Sequence, residues 1–255
     1  MKKYTISLWI LLLTWGCTFA KKEASPNLRI GTQAGYFPYE SKNEQGELIG
    51  LDIDLAHALG EKLNQSVVFQ EMDFDALILA LKQGKIDLIL SGMSITEKRL
   101  KEIAMVPYQS LPTKSLSLTF WQEPKETYST WEALSASKKT VAVMAGTFLE
   151  SILDQYHISK KPLEGNTDLI MELKFQKSEI VLFEDHIAEV LRKQFPNLQV
   201  QKIQLEEINW NPGLGIGIRK DNEGLISQIT QAVESLRTEG ALLQLETKWL
   251  TQGIL

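Results

Sequence analysis

"KIDLILSGMSITEKR", residues 85–99, is the stretch on which the fold turns. Its first part, "KIDLIL", reads as an apolar run without strict alternation, the pattern of a strand in a parallel sheet covered on both faces. The chain then leaves that strand through small polar residues, Ser91, Gly92 and Ser94, and reaches a helix start that carries Arg99. Strand ends that open into helix starts are where α/β proteins collect ligands. A guanidinium placed there is a donor fork suited to a carboxylate or a phosphate. Taken alone, the stretch reads equally well as a solvated turn with a surface arginine, so the flanking sequence must decide.

Working outward, strand and helix patterns alternate. "NLRIGTQ" reads as a strand ending in a Gly-Thr turn, and "LDIDLAHALGEKLN" sets Leu55, Ala56, Leu59 and Leu63 on one helical face, with Asp52 as the expected N-cap. "SVVFQ" is a β-branched strand, and "DFDALILALKQG" is a helix that Gly84 should stop. A second series begins near Leu116: "SLSLTFW" as a strand, "TVAVMAGTF" as a strand running into a helix start, and "EIVLFEDHIAEVLRKQ" as strand then helix. "LGIGIRK" is a late strand, followed by helices around "LISQITQAVESLRTEG" and "ALLQLETKWL", with Trp249 expected to anchor the last. Pro112 and Trp210-Asn211-Pro212 punctuate the two points where one series gives way to the other. Repeated strand–helix units imply an α/β protein. Two series with a late strand and terminal helices left over suit two lobes joined by two crossover strands. In such an arrangement ligands sit between the lobes.

The bulk numbers narrow the functional classes. With 255 residues, the chain suffices for one large or two modest domains. At 44% hydrophobic and 23% charged it has ordinary folded composition, and a net charge of −5 without a basic stripe argues against nucleic acid as a partner. The three histidines, His57, His157 and His186, have no metal-ligand spacing, so neither a metal nor another cofactor is expected. No G-x-S-x-G surrounds a serine, and "GLGIG" lies within a strand rather than at a strand–helix turn, so acyl chemistry and dinucleotide binding lack support.

The N-terminus is of another kind. "MKKYTISLWILLLTWGCTFAKK" has a basic start, an apolar stretch from Ile6 to Trp15 and small residues at Gly16 and Ala20. That is a secretory signal over residues 1–20. Two processing outcomes compete. Thr18-Phe19-Ala20 suits ordinary cleavage, whereas Gly16-Cys17 looks like a lipobox in which Cys17, the only cysteine, becomes a lipid anchor. Either outcome exports the protein to the periplasm or another extracytoplasmic space, with no disulfide to support its core.

The quoted stretches resemble one family. "LRIGTQAGYFPYESKNEQGELIGLDIDLAHAL" and "GKIDLILSGMSITEKRLKEIA", with "FDALI", "AGTF" and "GLGIGIRKD", look like the type II periplasmic solute-binding proteins for polar amino acids. The likeness is closest to the histidine- and lysine/arginine/ornithine-binding proteins and to chlamydial arginine-binding lipoproteins. It implies a two-lobed α/β fold in which each lobe is a mostly parallel sheet flanked by helices. Residues 26–112 with 211–255 would form the first lobe and 113–210 the second. It further implies a monomer that binds one L-amino acid in a closing cleft and presents it to the permease of an ABC importer.

By this resemblance Arg99 grips the ligand's α-carboxylate, assisted by Ser91, Gly92, Ser94, Thr147 and Phe148 around the two turns. Gly92 replaces a serine common in the family. Glu184 matches the carboxylate that holds the α-ammonium, although aspartate is usual there and neighbouring Asp185 leaves the match open by one residue. Without the resemblance, "FED" reads as a cap for the helix that follows. Tyr36 and Phe74 match an aromatic pair that sandwiches the ligand side chain. Gln33 stands where relatives that bind basic ligands carry an aspartate, and its neutral amide can still accept from a guanidinium. Arginine is therefore the expected ligand, with glutamine, histidine and ornithine as competitors. Glu40, Glu71 and Asp73, near in sequence, are expected to be solvated. Two other classes share the fold: an exported dehydratase in which Glu184 would be a proton donor, and a ligand-sensing domain with a separate signalling partner.

Overall fold

The computed structural model describes residues 27–109, 113–209 and 212–251. The signal segment with Cys17 and both cleavage candidates lies outside these residues, as do Pro112, Trp210 and Asn211.

The first stretch runs β1 (Leu28–Thr32), β2 (Ser41–Lys42), β3 (Leu48–Ile49), α1 (Leu51–Leu63), β4 (Val67–Glu71), α2 (Leu77–Lys82), β5 (Leu88–Ile89), α3 (Glu97–Glu102) and β6 (Ala104–Gln109). The second runs β7 (Ser115–Phe120), α4 (Trp131–Ala136), β8 (Val141–Met144), α5 (Phe148–Gln155), β9 (Lys160–Leu163), α6 (Asn166–Lys174), β10 (Ile180–Glu184), α7 (Asp185–Gln194) and β11 (Gln199–Gln204). The last comprises β12 (Leu214–Ile218), α8 (Glu223–Thr238) and α9 (Ala241–Glu246).

These strands form two five-stranded sheets, ordered β4-β1-β5-β12-β6 and β11-β7-β10-β8-β9. Each sheet contains a single antiparallel strand, β12 in one and β7 in the other, next to the strand at its centre. Those two strands are the ones that enter a sheet after the chain has crossed from the other. The architecture is thus the two-lobed α/β fold of the periplasmic binding proteins, with two crossings of the chain between lobes. The central strands β5, β8 and β10 are wholly buried, as their apolar sequence requires, with Glu184 at the end of β10 the one charged residue among them.

Local chemistry fixes the turns around the cleft. Gly84 has φ +69° and stops α2, as expected. The start of α1 differs from expectation. Its N-cap is Gly50, and a Cβ there would lie 2.0 Å from the Tyr39 carbonyl oxygen. Asp52 is instead fully buried, accepting from the Gly92 amide at 2.7 Å and the Tyr108 hydroxyl at 2.7 Å. A carboxylate inside the protein must be paired, and the binding turn supplies the partner. Trp249 does anchor the C-terminal turn, donating to Asp54 Oδ2 at 2.7 Å and meeting Phe37 edge-on.

Candidate functional site

The strand end after β5 delivers the turn that holds Ser91, Gly92 and Ser94, and Thr96 then caps α3 by accepting from the Arg99 amide at 3.2 Å. That cap sets Arg99 in the first turn with its side chain folded back beneath the loop. Its guanidinium donates to the Ser94 carbonyl at 2.8 Å and, across the cleft, to the Gly146 carbonyl at 3.1 Å. Only 8% of Arg99 is exposed. Burial lowers its pKa from 12.5 to about 10, against the opposing fields of Glu184 and Tyr36, so it stays cationic at neutral pH.

The facing lobe contributes two ends. At the first, Gly146 turns with φ +74° between β8 and α5, and Glu150 reaches back from α5 to accept from the Gly146 amide at 2.6 Å. Thr147 is the N-cap residue of α5, but its hydroxyl donates backward to the Met144 carbonyl at 2.7 Å rather than capping. At the second end, Glu184 closes β10. It occupies the N-cap position of α7 without making a side-chain cap, so the capping role does not use its carboxylate. Burial raises the Glu184 pKa, while its own backbone, the Tyr36 hydroxyl and Arg99 hold it down. Asp185 points elsewhere: its carboxylate accepts from Ser117 at 2.7 Å and from Ser115. Of these two neighbours, Glu184 lines the cleft and Asp185 faces β7.

Tyr36, Phe74, Ser91, Gly92, Ser94, Arg99, Met144, Thr147 and Glu184 line one enclosed space of about 10 Å³, room for about one water. A cation from one lobe and a carboxylate from the other therefore border a single chamber. In this closed arrangement both aromatics are buried; Tyr36 stacks on Tyr39 with centroids 5.5 Å apart. Phe148 lines a separate groove along α3 and α5 rather than this chamber. Gln33 lines an open vestibule of about 330 Å³ with Glu71, Asp73, Glu164 and Asp168. Its amide nitrogen donates across the cleft to the Glu164 carbonyl at 2.7 Å, while its Oε1 is buried without a protein partner.

Two participants, Glu40 and Asp52, were not legible in the sequence, and Ser91 plays a part other than the expected one. Ser91 Oγ turns inward, donating to Glu40 Oε1 at 2.9 Å and accepting from the Gln33 backbone N–H at 3.0 Å. Glu40 is correspondingly buried, against the expectation of a solvated side chain; Glu71 and Asp73 are exposed, and Glu71 pairs with Lys42. Burial pushes Glu40 well above the usual carboxylate range, and pushes Asp52 to about 7 against its bonds from Gly92 and Tyr108. Gly92 has φ +54°, and a Cβ there would lie 2.6 Å from the Tyr36 ring. The glycine thus does more than omit a hydroxyl; it makes room for the aromatic. Among the described residues, no three His, Cys, Asp or Glu side chains converge as metal ligands.

Two α/β sheets with a charged chamber between them are the architecture of a solute-binding protein. The chain belongs to the bacterial extracellular solute-binding proteins, family 3, which it matches over residues 28–252. It is 38% identical over 252 residues to the probable ABC transporter arginine-binding protein ArtJ of Chlamydia trachomatis, covering 94% of this chain and 95% of that one. It is 32% identical over 265 residues to the histidine-binding periplasmic protein of Escherichia coli, covering 98% and 97% respectively. Among solved structures, a Salmonella typhimurium periplasmic binding protein described for high arginine specificity superposes with a TM-score of 0.79 at 26% identity. That match covers 89% of this chain and all of the other.

Proposed function

We propose that the protein is the extracytoplasmic amino-acid-binding component of an ABC importer and that its ligand is L-arginine. The observation that carries this is the chamber bordered by Arg99 from one lobe and Glu184 from the other. A free α-amino acid presents a carboxylate and an ammonium about one carbon apart, and these two side chains are complementary to that pair. Both are buried, so each charge interacts in a medium where pairing is strong and an unmatched charge is costly.

Arg99, Ser94 and Thr147 would hold the α-carboxylate, and Glu184 with Tyr36 the α-ammonium. Phe74 and Tyr36 would flank the side chain. Gln33 Oε1, buried without a protein partner, offers an acceptor, and Asp73, Glu164 and Asp168 around the neighbouring vestibule favour a cationic ligand. The arginine relatives support this choice. Residues 26–112 with 211–255 and 113–210 act as the two closing lobes. The small chamber requires that they separate for entry, after which the closed form is presented to the permease. Export follows from the N-terminal signal, with Cys17 as membrane anchor. We assign no reaction, in keeping with relatives named as binding proteins.

A thermal-shift screen of the standard amino acids plus ornithine tests the reading. A ligand at 100 times its dissociation constant adds about 2.7 kcal/mol of stability. Arginine should give the largest shift; absence of any amino-acid shift would overturn the assignment.

A further inference from the structure

Tyr39 and His186 lie outside the chamber, yet they connect the two lobes. The Tyr39 hydroxyl donates to Gln109 Oε1 at 2.8 Å. The same hydroxyl lies 3.0 Å from His186 Nε2; with its proton given to Gln109, its oxygen is the acceptor in the tautomer that carries hydrogen on Nε2. The imidazole also meets the phenol edge-on, with centroids 5.7 Å apart and planes at 90°. Gln109 is the last residue of β6 before the chain crosses to the second lobe, and His186 follows Glu184 by two residues. One contact therefore ties together the crossover, the loop carrying Tyr36, and the turn carrying Glu184.

We infer that the His186–Tyr39 contact is a positioning latch that holds the lobes closed over the solute only while His186 is neutral, so that solute affinity falls in mild acid. The inference rests on the amino-acid-binding reading above. A neutral imidazole with its proton on Nε2 supplies the one donor that Tyr39 needs. A second proton would put a full charge and an additional N–H into the lobe interface.

The groups around His186 do little to welcome that charge. From the first lobe it faces the neutral Tyr39 and Gln109. Burial drives the Tyr39 pKa well above its ordinary value, with Asp52, Glu184 and Glu40 adding to the rise, so the phenol does not ionise. Within its own helix, Asp185 favours the charged imidazole, but that carboxylate is already held by Ser115 and Ser117 and lies 3.7 Å from Lys202 of β11. Partial burial beside Tyr39 outweighs Asp185 and lowers the His186 pKa to about 4. Opening the cleft returns the ring to water and to a pKa of about 6.5. Closure therefore expels a proton: the latch is at full strength above about pH 6.5 and is lost progressively as pH falls towards the closed-state value.

The test is calorimetric titration of the protein with L-arginine, and in parallel with L-glutamine, at pH 7.5 and pH 5.0. The wild type should lose about 10- to 30-fold in affinity between these pH values. His186→Gln keeps an N–H donor for Tyr39 but does not titrate, and its loss over the same interval should be at least about fivefold smaller than that of the wild type. Residual loss in that variant reports Glu184. An NMR titration of the His186 imidazole in the wild-type protein gives an independent reading, with a lower pKa expected when the binding amino acid saturates the site. Equal pH ratios in wild type and His186→Gln, or a His186 pKa unmoved by ligand, would overturn the latch and leave the binding reading intact. Failure of every amino acid in the thermal-shift screen to bind wild type at pH 7.5 would overturn both.

Discussion

The guanidinium carbon of Arg99 sits 5.1 Å from the centre of the Phe74 ring. The two residues come from separate turns of the first lobe, one after β4 and one within α3. Their contact explains how a buried cation is kept in place before it meets a ligand: one face is covered by a π system and the edges by two carbonyls. Arg99→Ala should weaken binding by about 2–5 kcal/mol, because the ligand carboxylate would be buried without its partner. Arg99→Lys should also bind poorly, since an ammonium cannot reproduce the planar fork. Calorimetry showing a loss below about tenfold for the alanine variant would remove Arg99 from the site.

Gly92→Ser would restore the residue common in the family but in a context that has no space for it. The new Cβ would press on Tyr36, and φ +54° would be strained by about 1–2 kcal/mol. We expect a melting temperature lower by about 2–8 °C together with weaker ligand binding. Unchanged melting would show that the turn relaxes without cost.

Asp52 gives a signed pH dependence. Its pKa in the folded protein is raised to about 7, above its ordinary 3.8, so the folded state binds more protons than the unfolded state between those values. Stability must then fall as pH rises through that interval, and be greatest at its acidic end. Asp52→Asn should flatten this trend by about 1 kcal/mol or more, read as a difference of about 2–4 °C between the variants' melting temperatures at pH 5 and pH 7.5. A variant with the wild-type pH slope would contradict the assignment.

Gln33→Asp should tighten lysine and ornithine more than arginine, because a compact ammonium gains most from a nearby full charge. The change also removes the donor to Glu164 across the cleft, so absolute affinities can fall while the ratio moves. Competition against labelled arginine reads the ratio directly. A lysine-to-arginine preference that shifts by less than about threefold would place Gln33 away from the ligand's distal end.

Cys17→Ser should release a membrane-attached protein into a soluble or unprocessed form. Detergent partitioning of wild type and variant in the native host measures this, and a mature wild-type N-terminus at Lys21 would exclude the anchor.

The sequence by itself determined the repeating strand–helix order, the apolar central strands and the turn carrying Arg99. These are legible because a strand buried on both faces is apolar along its length, and because helix stops carry local signals such as Gly84. The edge strands β6, β9 and β11 were not foreseen. Pro107 and Pro162 interrupt the first two, and the third is mostly polar, as a sheet edge tolerates. Tertiary structure alone decided the charge network behind the site. Glu40 and Asp52 look like solvated or capping acids in sequence, because nothing local reveals that Ser91, Gly92 and Tyr108, 40 to 56 positions away, will enclose them. It also separated Glu184 from Asp185. Adjacent side chains at a strand end face opposite ways, and only the packing of β7 against β10 fixes which of them the cleft receives.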